Sequence, residues 1–254
     1  MIKRYFVLAL SLFVTLPVAA EDTSTDLGIY LFATAIEGEA QIRNVSSDVD
    51  VGFDDIVDNL DLGYMGYIEH RRDKWSFIGD LAYLKLAADD STASDKILQV
   101  ELDVELEQTS IQGFVGYRIL EREYDTAGLG LDLLIGARYT RLEAGLSVEA
   151  SLLGLAASAD RNLDEDWTDT VIALRLQYVG QKGWGGTFWA DVGDGSDSSS
   201  EQLMALASYR GDGNWQYFGG YRYINLEYDT GSGSSQFGVD LDYTGPMFGA
   251  SYRM

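Results

Sequence analysis

The chain has 254 residues and a formal net charge of −23, with 41 acidic side chains against 18 basic ones. Such a surface repels nucleic-acid phosphates, and the absence of cysteine excludes disulfides, thiol nucleophiles and thiolate metal sites. Aromatic residues make up 12% of the chain, and together with its ordered patterning they argue against the disorder that acidity alone would suggest.

The first twenty residues read as a signal peptide. Lys3 and Arg4 form a basic start, Phe6 to Leu16 an apolar stretch, and Val18-Ala19-Ala20 a small-residue cleavage site after Pro17. The apolar stretch is well short of the ~20 residues of a spanning helix. Residues 1–20 are therefore expected to be removed, leaving 21–254 as one exported domain.

From there the pattern has a period of two. Leu129, Leu131, Leu133, Ile135, Ala137 and Tyr139 alternate with Gly130, Asp132, Gly136, Arg138 and Thr140, with Leu134 as the one apolar exception. A period of two is a strand with two unlike faces. Ten such strands are expected, at about 28–42, 61–71, 75–87, 97–119, 127–142, 167–179, 184–193, 201–210, 214–227 and 237–254. Tight turns at 71–74, 121–126, 180–183 and 211–214 alternate with polar loops at 43–60, 88–96, 143–166, 194–200 and 228–236. Short turns on one side and long loops on the other are the pattern of outer-membrane barrels. The fold class predicted is all-β: a transmembrane, antiparallel, up-and-down β-barrel of about ten strands with both termini on the short-turn side. Proline, which deletes a ladder donor, occurs only at Pro17 and Pro246.

Aromatic residues supply an independent signal. Trp75, Tyr117, Tyr178, Trp184, Tyr209, Trp215 and Tyr252 each lie within a few residues of a short turn or the C-terminus, on the apolar parity of their strands. This is the pattern of a girdle at one membrane interface. Tyr83, Tyr139 and Tyr223, farther along the same faces, suggest a second. The opposite parity then faces a lumen and carries Glu69, Arg71, Asp80, Asp132, Arg138, Arg175, Asp191, Arg210 and Arg222. Charges of both signs in a narrow barrel are expected to pair. Ten strands enclose little more than the side chains that fill eight, so a mostly packed lumen is expected, with at most a thin water path.

The run from Asp48 to Asp61 (DVDVGFDDIVDNLD), Gly136-Ala137-Arg138-Tyr139, Gly220-Tyr221-Arg222-Tyr223 and the ending from Gly245-Pro246 to Tyr252-Arg253-Met254 resemble segments of poorly characterised bacterial outer-membrane barrels of the small porin-like and surface-antigen kind. The resemblance covers nearly the whole mature chain and implies the fold without a ligand. Such barrels usually end in an aromatic residue that the assembly machinery reads, whereas this chain ends in Met254.

Candidate chemistry is sparse. The single histidine, His70, adjoins Glu69 but belongs to the opposite strand face, beside a short turn rather than at the outer rim, so a non-enzyme is expected. Asp54, Asp55 and Asp58 fall in a segment where Phe53, Ile56, Val57 and Leu60 recur at helical spacing. A short helix packed over the barrel mouth is expected there, with a weak divalent-cation site as the sharper alternative. Asp191, Asp194 and Asp197 do not match a calcium-loop spacing. Glu101, Asp103, Glu105 and Glu107, alternating with Leu98 to Leu106, are expected as a solvated face on a protruding hairpin, with an acidic vestibule as the sharper alternative. The expected function is a structural or narrow, cation-preferring pore role, or alternatively surface binding through acidic external loops. The expected partners are outer-membrane lipid and lipopolysaccharide, plus the assembly machinery at the C-terminal strand. A monomer with no cofactor is expected.

Overall fold

The computed structural model describes residues 23–42, 45–94, 98–152, 155–232 and 236–254; the expected signal peptide lies outside them. Strands β1 (Thr23–Phe32), β2 (Ala35–Ile42) and β3 (Val45–Val51) lead into a short helix α1 (Phe53–Asp58). Nine strands follow: β4 (Leu60–Arg72), β5 (Trp75–Ser94), β6 (Leu98–Tyr124), β7 (Ala127–Leu152), β8 (Leu155–Val179), β9 (Trp184–Asp194), β10 (Ser198–Arg210), β11 (Trp215–Thr230) and β12 (Phe237–Arg253). Strand β1 and strands β4 to β12 pair antiparallel in chain order, and the β1–β12 pairing closes them into a ten-stranded ring. The first described residue, Thr23, and Arg253 at the end of β12 lie at the end with the short turns, where Thr23 is opposite Arg72 and Asp26 is opposite Arg253. At one of these turns Gly183 has φ +81°, and an added Cβ would strike the carbonyl of Arg210.

The segments expected as loops are largely strand. β6, β7 and β8 run 27, 26 and 25 residues, so 143–152 pair with 155–164 as extensions of β7 and β8, and β5 continues to Ser94. At ~3.3 Å per residue and a tilt of ~40°, such strands reach roughly 65 Å, against the ~25 Å of an apolar membrane band. Polar sequence there marks strand in water, not loop. Within 43–60, β3 is a further strand paired with β2.

The segment expected as one strand over 28–42 is divided at Ala33–Thr34. Facing the division is Pro246, inside β12. Its carbonyl accepts the Ala33 N–H at 2.9 Å, but it has no N–H to return, so the ladder loses a rung where β1 gives way to β2. An interior proline is thus accommodated by interrupting its neighbour.

Outward-facing Leu27, Ile29, Phe77, Leu133, Ile135, Leu174 and Phe248 are exposed and form an apolar belt around the short-turn half of the ring. No helix among the described residues is long and apolar enough to cross a membrane.

Candidate functional site

The interior consists of two unlike halves, because the strands exchange their faces midway. On β11, Arg222 points in and Tyr223 out; two residues on, Ile224 and Leu226 point in, and Asn225 and Glu227 out. On β12, Tyr243, Leu241 and Val239 point in while Asp240 and Asp242 point out. On β7, Leu133 and Ile135 face outward in the belt, but farther along Leu142 faces inward beside outward Arg141 and Glu143. On these three strands the period of two is kept through the boundary, and only the polarity of each face changes.

In the belt half, the inward charges are paired. Asp132 is fully buried and takes Arg71 Nη2 at 3.0 Å, Arg175 Nη2 at 2.7 Å and the Arg118 guanidinium. Arg175 also crosses the lumen to Glu69 at 2.9 Å. Nearby, Asp26 takes Arg253 at 2.7 Å and Arg210 at 3.3 Å. Deeper in, fully buried Arg138 pairs with Asp191 at 2.8 Å, and Asp191 also accepts from Trp189 Nε1 at 2.5 Å and Gln202 Nε2 at 2.8 Å. Asp191 therefore belongs to the lumen network and is committed there. Arg222 donates to Gln202 Oε1, and Tyr30 donates to Asp80 at 2.9 Å. All nine sequence-predicted lumen charges face inward. Arg118, Arg253, Asp26 and Asp169 lie on the same inward parity of β6, β12, β1 and β8 and join them, although the candidate set read from the sequence does not include them. The carboxylate of Asp169 is held by Ser198 and Ser200. Between the charged layers, a cavity of about 1230 Å³ extends from the short turns up to Arg222 and Gln112.

In the outer half the ring opens into two facing sheets. β9 pairs with β8 only as far as Asp194 opposite Thr170, and β4 begins at Leu60 opposite Leu86, so the tops of β5–β8 form one sheet. β11, β12, β2 and β3 form the other. Leu86, Leu142 and Trp167 of the first pack with Ile36, Ile224, Leu226, Tyr228, Phe237, Val239, Leu241 and Tyr243 of the second, and Ile56 of α1 completes this buried cluster. Trp167 stacks on Tyr228 at 4.6 Å. None of these side chains lines the cavity below. The lumen is thus packed in its outer half and hollow in its inner half, a division that the uniform packing expected from strand number does not capture.

The seven girdle residues are exposed at the short-turn end of the belt. Six are directly opposite partners in three pairs: Trp75–Tyr117, Trp184–Tyr209 and Trp215–Tyr252, with ring centres 4.9, 5.2 and 5.3 Å apart. Tyr178 stands alone beside Gly180.

Helix α1 occupies the expected position, but of its apolar stripe only Ile56 is buried; Phe53, Val57 and Leu60 remain exposed. Asp54, Asp55 and Asp58 are exposed as well. Asp55 accepts the Gly52 N–H at 3.2 Å as a cap, and no cluster of three or more acidic or histidine ligands is assembled among the described residues. The acidic edge of β6 does not form a vestibule: Glu105 and Glu107 lie on the outer surface, where both contact Lys85, while Leu106 faces in. Glu101 and Asp103 have no described side chains. On the opposite sheet, outward carboxylates are directly opposite one another: Glu37 faces Asp50 and Asp242, and Glu39 faces Asp48 and Asp240. His70 faces outward near a short turn, its Nδ1 2.9 Å from Thr25 Oγ1.

No protein-family model matches the chain, and no curated protein matches it. Among solved structures, the outer-membrane protease OmpT of Escherichia coli is similar over 93% of this chain and 99% of its own, at 9% identity and a TM-score of 0.57. Ail, the attachment invasion locus protein of Yersinia pestis, aligns over 91% and 98% at 11% identity with a TM-score of 0.31. Neisserial surface protein A aligns over 91% and 96% at 14% identity with a TM-score of 0.28. At these identities the likeness is one of fold, and OmpT carries it. A closed antiparallel ring with an apolar belt, a polar interior and strands standing far above the belt has the fold of the bacterial outer-membrane β-barrels.

Proposed function

We propose that the protein is a non-conducting outer-membrane barrel that holds a rigid, acidic two-sheet body at the cell surface, in a structural or surface-binding role. The observation that carries this reading is the apolar cluster spanning the outer lumen, from Leu86 and Trp167 on one sheet to Leu241 and Tyr243 on the other. Ions cross such a layer only if it is wetted, and a dozen packed apolar side chains oppose wetting. A cation-preferring pore would need a path past this cluster and acidic groups lining it; Glu105 and Glu107 lie on the outer surface instead.

The role is non-catalytic in this reading, since the single histidine sits on the lipid-facing parity at the opposite end from the exposed acidic surface. Export through the periplasm, assembly through β12 and a monomer in contact with lipopolysaccharide complete the proposal. Planar-bilayer recording of the purified full chain is the test. No discrete conductance steps are expected. Stable steps, with cation selectivity, would replace this reading with that of a narrow pore.

A further inference from the structure

The hollow inner half carries a charge pattern opposite to that of the chain. At its mouth, Arg71, Arg118 and Arg175 share the carboxylates of Asp132 and Glu69, while Arg210 and Arg253 share that of Asp26. Five guanidinium groups therefore meet three carboxylates at contact distance, with Glu121, Glu123 and Asp212 and with Arg122 and Lys182 at the exposed rim, in a protein whose total charge is −23. Glu121 touches Arg118 at 3.5 Å, but from the exposed rim, where water screens it. Half-buried cations in excess over their partners favour an anion that completes the set.

Above this mouth apolar side chains form most of the wall, interleaved with Thr187, Gln202 and Ser208. Tyr67, Phe114, Trp189, Met204, Phe218 and Met247 line the 1230 Å³ cavity up to its blind end at Arg222 and Asp80, beneath the packed outer half. From Gln216 to Arg222 on β11 is roughly 15 Å along the axis, about the length of a twelve-carbon chain. A wholly polar anion would lose its hydration against these walls, and a wholly apolar guest would leave the arginine excess unanswered. We propose that this cavity is a binding site for an anionic amphiphile, which enters tail first from the short-turn side and leaves its carboxylate or phosphate head among Arg71, Arg118, Arg210 and Arg253. The outer closure makes the site blind, so the guest enters and leaves by the same mouth.

The test uses the full chain in lipid nanodiscs and a dodecanoate with a photoreactive group at its tail end. The modified residues are then mapped by mass spectrometry. Label is expected on inward-facing Met204, Phe218 or Met247. Dodecanoate and dodecyl phosphate should compete for it, and the better competitor identifies the head; dodecanol and inorganic phosphate should not compete. Arg210→Gln should weaken the competition about tenfold, as expected for the loss of one charged hydrogen-bonding group. Leu206→Trp, which narrows the cavity without touching a charge, should abolish the label.

Several results would overturn the proposal. Label confined to lipid-facing residues such as Leu203 and Tyr217 would mean membrane partitioning only. Equal competition by dodecanol would remove the role of the arginines, and competition by inorganic phosphate would leave a simple ion site. If Arg210→Gln does not fold, the wild-type competition series and Leu206→Trp decide the matter.

Discussion

The hydroxyl of Tyr243 on β12 donates to Oε1 of Gln108 on β6, 2.8 Å away, joining walls that are nearly opposite each other in the ring. The bond ties the two walls together at the level of the apolar cluster that closes the outer half. Tyr243→Phe should cost about 1 kcal/mol, the net worth of one hydrogen bond, and leave the bilayer silent. Trp167→Ala, which empties a stacked position in the same cluster, should cost roughly 3–5 kcal/mol by denaturant unfolding in detergent.

The exchange of faces makes substitutions position-dependent in a testable way. Ile135→Arg, on the lipid side of the belt, should cost roughly 2–4 kcal/mol. Glu143→Leu lies on the same strand and the same parity but above the boundary, and should stay within about 0.5 kcal/mol. Leu226→Asp, inward above the boundary, should be severely destabilising because it buries an unpaired carboxylate. Comparable costs for Ile135→Arg and Glu143→Leu in an unfolding series would contradict the placement of the boundary.

Asp132 anchors three arginines at once. Asp132→Asn keeps the shape and removes the charge, leaving Arg71 and Arg175 with Glu69 and Arg118 with the exposed Glu121. Breaking a buried network from one side costs about 3–5 kcal/mol. The double variant Asp132→Asn, Arg175→Met should recover part of that loss, and strict additivity of the two single changes would argue against coupling.

Outside the belt, the surface pairs predict a pH response. Its hydrogen bond with Lys85 holds the Glu107 carboxyl below the usual carboxylate range, and Arg141 does the same for Asp164. A depressed folded pKa contributes stability that is present above the unfolded carboxylate value and is lost as pH falls through the folded one. The outer sheets should therefore loosen as pH drops below ~4, and Lys85→Met should flatten that dependence. Because these groups are exposed, raised salt should shrink the effect, and thermal unfolding at two ionic strengths measures it.

The facing carboxylates of β12, β2 and β3 act in the opposite direction. Glu37 lies directly opposite both Asp50 and Asp242. Glu37→Gln should stabilise the chain by about 0.2–1 kcal/mol, since like charges directly opposite across strands repel. No gain in the thermal midpoint at low salt would mean that neighbouring groups already neutralise the row.

Much of this was legible in the sequence. Alternation in Leu129 to Tyr139 gives both the strand and its lipid face, and the Trp and Tyr positions near short turns give the interface. The spacing of Phe53, Ile56 and Val57 gives helix α1. The outer closure was not legible from periodicity, because a period of two says that faces differ and not which one meets water. The signal was nonetheless present: on β11, Arg222-Tyr223 gives way to Ile224-Asn225 and Leu226-Glu227 without a break in parity. Polar stretches such as 143–166 have the composition of long external loops, and only the pairing of β7 with β8 shows them to be strand. The three partners of Asp132 depend on ring register and lumen geometry, which no local pattern encodes.

The interruption of β1 opposite Pro246 carries a consequence for motion. Above it, β2 is joined to β12 by one ladder and to β3 by another, and the chain enters this corner from β1 through Ala33 and Thr34 and leaves it through α1 to β4. That edge can therefore open locally at the missing rung, against the packing of Ile36 in the buried cluster, without disturbing the seam at which the ring closes. Amide exchange in this chain should therefore be faster across residues 35–42 than across 23–32, and Pro246→Ala, by restoring the rung, should narrow the difference.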